Sequence, residues 1–276
     1  MLLGGPIFEE TSDPDQWAHA VLAAAYQAAY CPVGPSAPDD LVKEYEAAAQ
    51  RAGIVIAEVG AWSNPLAHDE SERKAALDKC KSCLYLADRI GARCCVNVAG
   101  SLGPRWDGPD PRDLTDEAFD AIVLSVREII DAVQPTRTFY TLETMPWMYP
   151  DSADSYLRLI AAIDRPAFGV HFDPVNLICS PQRYYDNGAL IADFVHKLGP
   201  RIKSCHAKDV IMSTDFICHI SETRPGLGNL DYRAFLREIS RLSEPVPIML
   251  EHLATAEEYA AAAAYIRSVA AEIGVG

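Results

Sequence analysis

The sequence predicts an α/β chain folded as a single (β/α)8 barrel. Short apolar runs alternate with amphipathic stretches from end to end, the signature of parallel strands joined by helical crossovers. The length, 276 residues, is close to the roughly 250 that one such barrel takes. Four apolar runs in the second half stop at Glu143, Asp173, His206 and Glu251, and in a barrel strand C-termini from distant parts of the chain converge on one face.

Eight runs read as strands: Leu2–Gly5, Gln27–Pro32, Ile54–Val59, Arg93–Val98, Thr138–Glu143, Phe168–Asp173, Ile202–His206 and Ile248–Glu251. Between them, helix starts follow from caps and periodicity. Asp13-Pro14 opens the first, Pro38-Asp39-Asp40 the second, Asp69 the third, Thr115-Asp-Glu the fourth and Asp151 the fifth. The sixth, about Asn187–Leu198, carries no clear cap; Asp231 opens the seventh and Thr255-Ala-Glu-Glu the last. Two connections are long, after the fourth strand (Gly100–Arg112, with Arg105 and Trp106) and after the seventh (Asp209–Asn229, with His219, Glu222, Arg224 and Pro225-Gly-Leu-Gly228). Both follow strand C-termini, where long loops form lids or specificity walls. No linker or change of composition divides the chain, so 1–276 is expected to form one domain.

Charge narrows the partners. With 24 Lys+Arg against 39 Asp+Glu the net charge is −15, which repels polyanions and gives no counterion release. Nucleic acid and anionic membrane are not expected. Met1-Leu-Leu-Gly-Gly-Pro lacks a basic segment followed by a long apolar run, and nothing approaches about 20 uncharged apolar residues; a soluble cytoplasmic chain is expected. The eight cysteines fall mostly in predicted helices and strands of a chain large enough to need no staples, and read as thiols. Cys80 and Cys83 lie on one helix, and Cys94 and Cys95 on opposite faces of a strand, which argues against a zinc site.

Three carboxylates and one imidazole at four strand ends make an oxygen-rich ligand set. It suits one divalent ion, Mn²⁺ first and Mg²⁺ beside it, with Co²⁺ and Zn²⁺ as contenders. Glu143, Asp173, His206 and Glu251 are the expected ligands. A carbonyl and neighbouring hydroxyl chelating that ion would have the adjacent C–H acidified, because the ion stabilises the enediolate left when the proton departs. Two carboxylates around the ion can remove and return that proton.

Glu58-Val-Gly-Ala-Trp62, Leu142-Glu143, His171-Phe-Asp173-Pro-Val-Asn176, His206-Ala-Lys-Asp209, Pro225-Gly-Leu-Gly-Asn-Leu-Asp231 and Leu250-Glu251, in that order, resemble the xylose isomerase-like TIM barrels. The likeness is to the sugar phosphate isomerase/epimerase branch with the D-tagatose 3-epimerase and D-psicose 3-epimerase type enzymes. It implies that Glu143 and Glu251 are the catalytic acid/base pair, with Asp173 and His206 completing the metal site, and that the protein is a homo-oligomer, a dimer or tetramer. Two positions depart from the branch pattern. Asn176 stands where a substrate-binding His is usual, and the nearest Arg after the strand-seven His is Arg224.

Other candidates follow from position. Glu58, Trp62, Asn176, Lys208 and Arg224 are placed as substrate contacts, and His171, two residues before Asp173, as a residue one layer beneath the site. His252 adjoins Glu251 and should point the other way. The expected activity is metal-dependent isomerisation or epimerisation of a ketose, keto-inositol or related unphosphorylated sugar. The alternative is a lyase of the inosose dehydratase or 3-keto-glycoside-cleaving kind, since the same enolate can expel a β-substituent. A DNA-repair endonuclease of the same barrel family would need several zinc ions and many histidines, against seven in this chain. A non-catalytic binding subunit would have a degraded ligand set, and this one is complete.

Overall fold

The computed structural model describes residues 1–275. Eight parallel strands close a barrel: β1 (Leu2–Gly5), β2 (Ala28–Tyr30), β3 (Val55–Gly60), β4 (Cys94–Asn97), β5 (Phe139–Glu143), β6 (Phe168–Phe172), β7 (Ile202–Ala207) and, after a hairpin of β8 (Asp209–Met212) and β9 (Ile220–Thr223), β10 (Pro247–Leu250). Each pairs with its sequence neighbour, β7 pairs with β10 and β10 with β1. The main helices are α1 (Pro14–Ala23), α2 (Asp39–Ala52), α3 (Glu70–Ile90), α4 (Asp116–Val133), α5 (Ala153–Ile163), the short α6 (Pro181–Tyr185), α7 (Asn187–Leu198), α8 (Tyr232–Ser240) and α9 (Ala256–Glu272).

Caps fix where the helices begin. Asp13, Asp69, Thr115, Asp231 and Thr255 each accept a backbone N–H of the first turn, as that residue type in that position does. The fifth helix starts one residue later than expected, because Ser152 and Ser155 form a reciprocal capping pair. The hairpin of β8 and β9 and the single-turn α6 were not expected from the sequence, where they read as loop.

The large core lies between barrel and helices, with Leu84, Ile129, Tyr156, Phe172, Phe194 and Phe235 among its buried members. Inside the barrel Ala28, Ala57 and Met249 form a small apolar cluster of their own. Gly4 permits it: a Cβ there would sit 2.6 Å from Met249 Sδ and 2.4 Å from the Ala28 carbonyl oxygen. Above this cluster the interior becomes polar, and that is where the candidate site begins.

Register sets its layers. Glu143 is level with His171, and His171 with Ser204, while His206 pairs with Met249. Because side chains alternate along a strand, Ser204 and His206 share the inward face and stack as two levels. The Tyr156 hydroxyl braces β5 against β6, accepting from the N–H groups of Leu142 and His171 (both 3.2 Å) and lying 2.7 Å from the Leu142 carbonyl oxygen. All eight cysteines are free thiols. Among the described residues no helix is long and apolar enough to cross a membrane.

Candidate metal centre and substrate cavity

Glu143 ends β5, while Asp173 and Glu251 stand one residue beyond β6 and β10 and His206 lies within β7. One ligand atom from each lies within 4.8 Å of the others. His206 Nδ1 is 3.1 Å from Glu143 Oε1, 2.9 Å from Glu251 Oε1 and 3.8 Å from Asp173 Oδ2. Each group is held from outside. Asp173 Oδ1 accepts from the N–H of Val175 (2.9 Å) and Asn176 (3.1 Å), leaving Oδ2 turned inward. The Thr144 hydroxyl donates to the Asp173 carbonyl (2.8 Å) and accepts from its N–H (3.0 Å). Asn176 Nδ2 donates to Glu143 Oε1 at 3.0 Å.

Lys208, two residues after His206 and 2% exposed, brings its ammonium into the same space. Nζ lies 2.6 Å from Glu251 Oε1, 2.9 Å from Asp173 Oδ2 and 3.8 Å from Glu143 Oε1. Lys208 and His206 thus supply the positive charge that faces Asp173 Oδ2 and Glu251 Oε1. Three carboxylates and an imidazole nitrogen converging on one point fit a hard divalent cation.

Beneath this level lies a second one. Glu58 faces His206 Nε2 (3.3 Å) and His171 Nε2 (3.0 Å), and the Ser204 hydroxyl donates to it. The two imidazoles meet edge to face, centroids 4.1 Å apart. Glu58, which the sequence placed among the substrate contacts, lies outside the lining of the cavity described below. It is 1% exposed and lies below His206, fixing the ring so that Nδ1 faces the carboxylates. Glu58, His171 and His206 are also close enough together to hold an ion of their own, but each Glu58 oxygen is already bonded within the network.

The charges drive protonation apart. Burial raises the Glu143 carboxyl, with the Glu251 carboxylate adding to the rise against the pull of His206. Burial acts on Glu251 in the same sense, but the His206 imidazolium and Lys208 ammonium outweigh it and bring that carboxyl down to about 2. Burial works against the charged forms of His206 and Lys208, yet the surrounding carboxylates hold both well above their ordinary values. In Asp173 the same burial is overcome by Lys208 and His206, and its carboxyl is lowered.

Over these groups opens a cavity of about 730 Å³. Glu143, Glu251, Lys208 and Asn176 reach it, as do Trp62, Trp106, Trp147, Met145, Tyr30 and Tyr259. Trp62 also packs near His206, with ring centroids 6.4 Å apart. Arg224 is not among the lining residues, and its guanidinium donates instead to the carbonyl of Pro225 (3.3 Å); the cavity takes its arginine from Arg105. His252 and Glu222 line it as well; the sequence placed Glu222 in the long loop after the seventh strand and turned His252 away. His252 has φ +58, a left-handed turn that defeats the strand alternation used to point it away, and its Nδ1 lies 3.1 Å from Glu222 Oε1.

The Pro225–Asp231 motif proves to be a clasp. Asp209 accepts from the N–H groups of Val210 (2.8 Å), Gly226 (2.9 Å), Gly228 (3.1 Å) and Leu230 (2.9 Å). A Cβ at Gly228 would lie 2.3 Å from Asp209 Oδ1. The clasp secures the hairpin that carries Glu222.

Solved structures share this architecture at low sequence identity. Endonuclease IV from Thermus thermophilus superposes with a TM-score of 0.74 at 13% identity, covering 99% of this chain and 100% of that one. The 3-keto-D-glucoside 4-epimerase from E. coli gives 0.70 at 14%, covering 97% and 99%. The probable 3-DHS dehydratase of petrobactin synthesis from Bacillus anthracis gives 0.69 at 15%, covering 95% and 94%. At such identities the likeness is one of fold, which hosts different chemistries. No curated protein matches the sequence significantly. The sequence model described as xylose isomerase-like TIM barrel matches residues 21–269, and the chain belongs to that family.

Proposed function

We propose that the protein is a divalent-metal-dependent isomerase or epimerase that moves a proton on the carbon beside the carbonyl of an unphosphorylated keto sugar or polyol. The observation that carries this is the convergence of Glu143, Asp173, His206 and Glu251 on one point beneath a cavity large enough for a sugar, with Glu143 and Glu251 on its lining. Asp173 and His206 would hold the ion together with the two glutamates. A bound divalent cation would supply Lewis acidity, easing the negative charge that develops on the substrate oxygen.

The residues of the chain do the rest. Glu143 and Glu251 both line the cavity, and two carboxylates on different strands around one point can remove and return a proton. Asn176 fixes the Glu143 carboxylate through Nδ2 and, having no titratable proton near neutrality, acts by orientation. The Lys208 ammonium is placed to meet negative charge on a substrate oxygen. Anionic groups dominate the lining, with Asp107, Glu143, Glu222 and Glu251, and this supports a substrate without phosphate.

A lyase of the same family is the second reading. It is favoured by His252, whose hydrogen bond from the ring to Glu222 raises its pKa beside Glu251 on the cavity wall. Such an imidazolium can protonate a departing β-oxygen.

Incubation of ketoses and keto-inositols with Mn²⁺-loaded protein in D₂O, followed by mass spectrometry and NMR, separates the two. Deuterium in an isomer of unchanged heavy-atom composition is the expected result, whereas loss of water or of an aglycone would identify the lyase. Glu143→Gln and Glu251→Gln should each lower exchange by roughly 10²–10⁴-fold; exchange at the wild-type rate in either variant removes that residue from proton transfer.

A further inference from the structure

Four carboxyl groups compete for the single ammonium of Lys208. Nζ lies 2.6 Å from Glu251 Oε1, 2.9 Å from Asp173 Oδ2, and 3.8 Å from both Glu143 Oε1 and Glu222 Oε2. The first three belong to the residues that converge on one point. Among the described residues, Glu222 is the one acid paired with Nζ that stands outside that set.

The surroundings fix the backbone of Lys208 and leave its head free to choose. The residue joins β7 to β8. Its carbonyl accepts from the Tyr232 hydroxyl at 2.6 Å, and the next residue, Asp209, is gripped by the clasp. What can move is the flexible four-carbon stem. Glu222 stands ready on β9, level with Val210 of β8, with 34% of its side chain exposed against 2% for Lys208. Its two oxygens lie 3.1 and 3.2 Å from His252 Nδ1, so one can stay with His252 while the other takes an ammonium. His252 Nε2 is in turn 3.7 Å from Glu251 Oε2. Glu251, Lys208, Glu222 and His252 thus form a closed ring of alternating acids and bases that links the hairpin to the converging carboxylates.

We propose that Lys208 is a built-in competitor of the divalent ion, and that ion binding by Glu143, Asp173, His206 and Glu251 drives its ammonium onto Glu222, coupling occupancy of the centre to the order of the hairpin. Two cations drawing on the same oxygens repel, and in a buried setting water screens that repulsion weakly. Closing the gap to Glu222 from 3.8 Å to the roughly 2.7–2.9 Å of a charge-assisted hydrogen bond takes a shift of about 1 Å. The inference rests on the metal reading of the site and is the same whether an isomerase or a lyase follows.

Titration calorimetry of chelator-treated protein with Mn²⁺ reads the competition directly. Lys208→Met, which keeps the stem and deletes the charge, should bind Mn²⁺ about tenfold or more tighter than wild type. A lysine that only supports the fold gives the opposite sign, because loosened ligands hold an ion less well. Glu222→Gln should weaken Mn²⁺ binding by roughly three- to tenfold, and adding it to Lys208→Met should change little, since its effect runs through the lysine. In wild type, Mn²⁺ should slow hydrogen exchange across β8 and β9, and in Glu222→Gln it should not. Unchanged or weaker binding by Lys208→Met, or equal losses from Glu222→Gln with and without the lysine, overturns the proposal and leaves the metal centre in place. Wild-type affinity and undiminished slowing of exchange in Glu222→Gln overturn it as well, a result readable even where Lys208→Met does not fold. No Mn²⁺ binding by wild type or any variant removes the metal centre and the proposal with it.

Discussion

His206 and Glu143 carry the pH dependence of the site. With no cation bound, the imidazole is held protonated well above 6.5 by Glu251, Glu58 and Glu143 against the penalty of burial, and burial itself holds the Glu143 carboxyl above 4.5. A cation ligated by both needs both deprotonated. Its apparent affinity therefore rises with pH and declines as pH falls through these raised values, and binding expels protons. Titration calorimetry in buffers of different ionisation enthalpy, at about pH 6 and about pH 8, should record that release, and pH-independent affinity without it would remove these two groups from the ligand set. Lys208 is the counterweight. Its ammonium is the cation nearest Asp173 Oδ2 and Glu251 Oε1, so Lys208→Met leaves buried carboxylates uncompensated and should cost the metal-free protein about 3–5 kcal/mol in urea unfolding. An unchanged midpoint would mean that the carboxylates find water or each other's protons instead. The sequence brought the four ligands and Lys208 into view because each follows an apolar run at a strand end. It misjudged depth and backbone hand: Glu58 points inward as alternation requires but one level too low, and His252 escapes alternation through its positive φ.

Elements show the same division between local and long-range information. Strands and most caps are local, and each of the eight expected barrel strands appears within a few residues of its expected bounds. The hairpin of β8 and β9 is not local. Its strands are four residues each, with no alternation long enough to announce them, and their order comes from Asp209 gathering four N–H groups, three of them beyond the hairpin. Asp209→Ala should leave those donors without their acceptor, costing about 1–3 kcal/mol, and hydrogen exchange should accelerate from Glu222 to Leu230. Gly228→Ala, which crowds Asp209 and the Val210 carbonyl, should reproduce the effect. If exchange stays slow in both variants, the hairpin is held by contacts other than the clasp.

At the scale of the whole molecule, folding assembles a liability that ligand binding relieves. Packing between barrel and helices is extensive, but the inner barrel holds few apolar residues, and its upper part gathers Glu58, Glu143, Asp173 and Glu251 around Lys208 and two imidazoles. The carboxylates do not cluster in the unfolded chain, so a cation that bridges them binds the folded state and shifts the equilibrium toward it. At about 100 times its Kd, such a cation adds about 2.7 kcal/mol. For a chain of this size each kcal/mol moves the melting midpoint by roughly 2–4 °C, so Mn²⁺ added to chelator-treated protein should raise Tm by about 5–10 °C. Calorimetry with Mn²⁺, Mg²⁺, Co²⁺ and Zn²⁺ in turn would rank the ions by the size of the shift. Asp173→Asn should abolish it, because that substitution removes the charge of the inward oxygen while Val175 and Asn176 still hold the outer one. A shift that survives Asp173→Asn would place the ion elsewhere, and no shift with any of the four would leave the convergence of carboxylates to Lys208 alone.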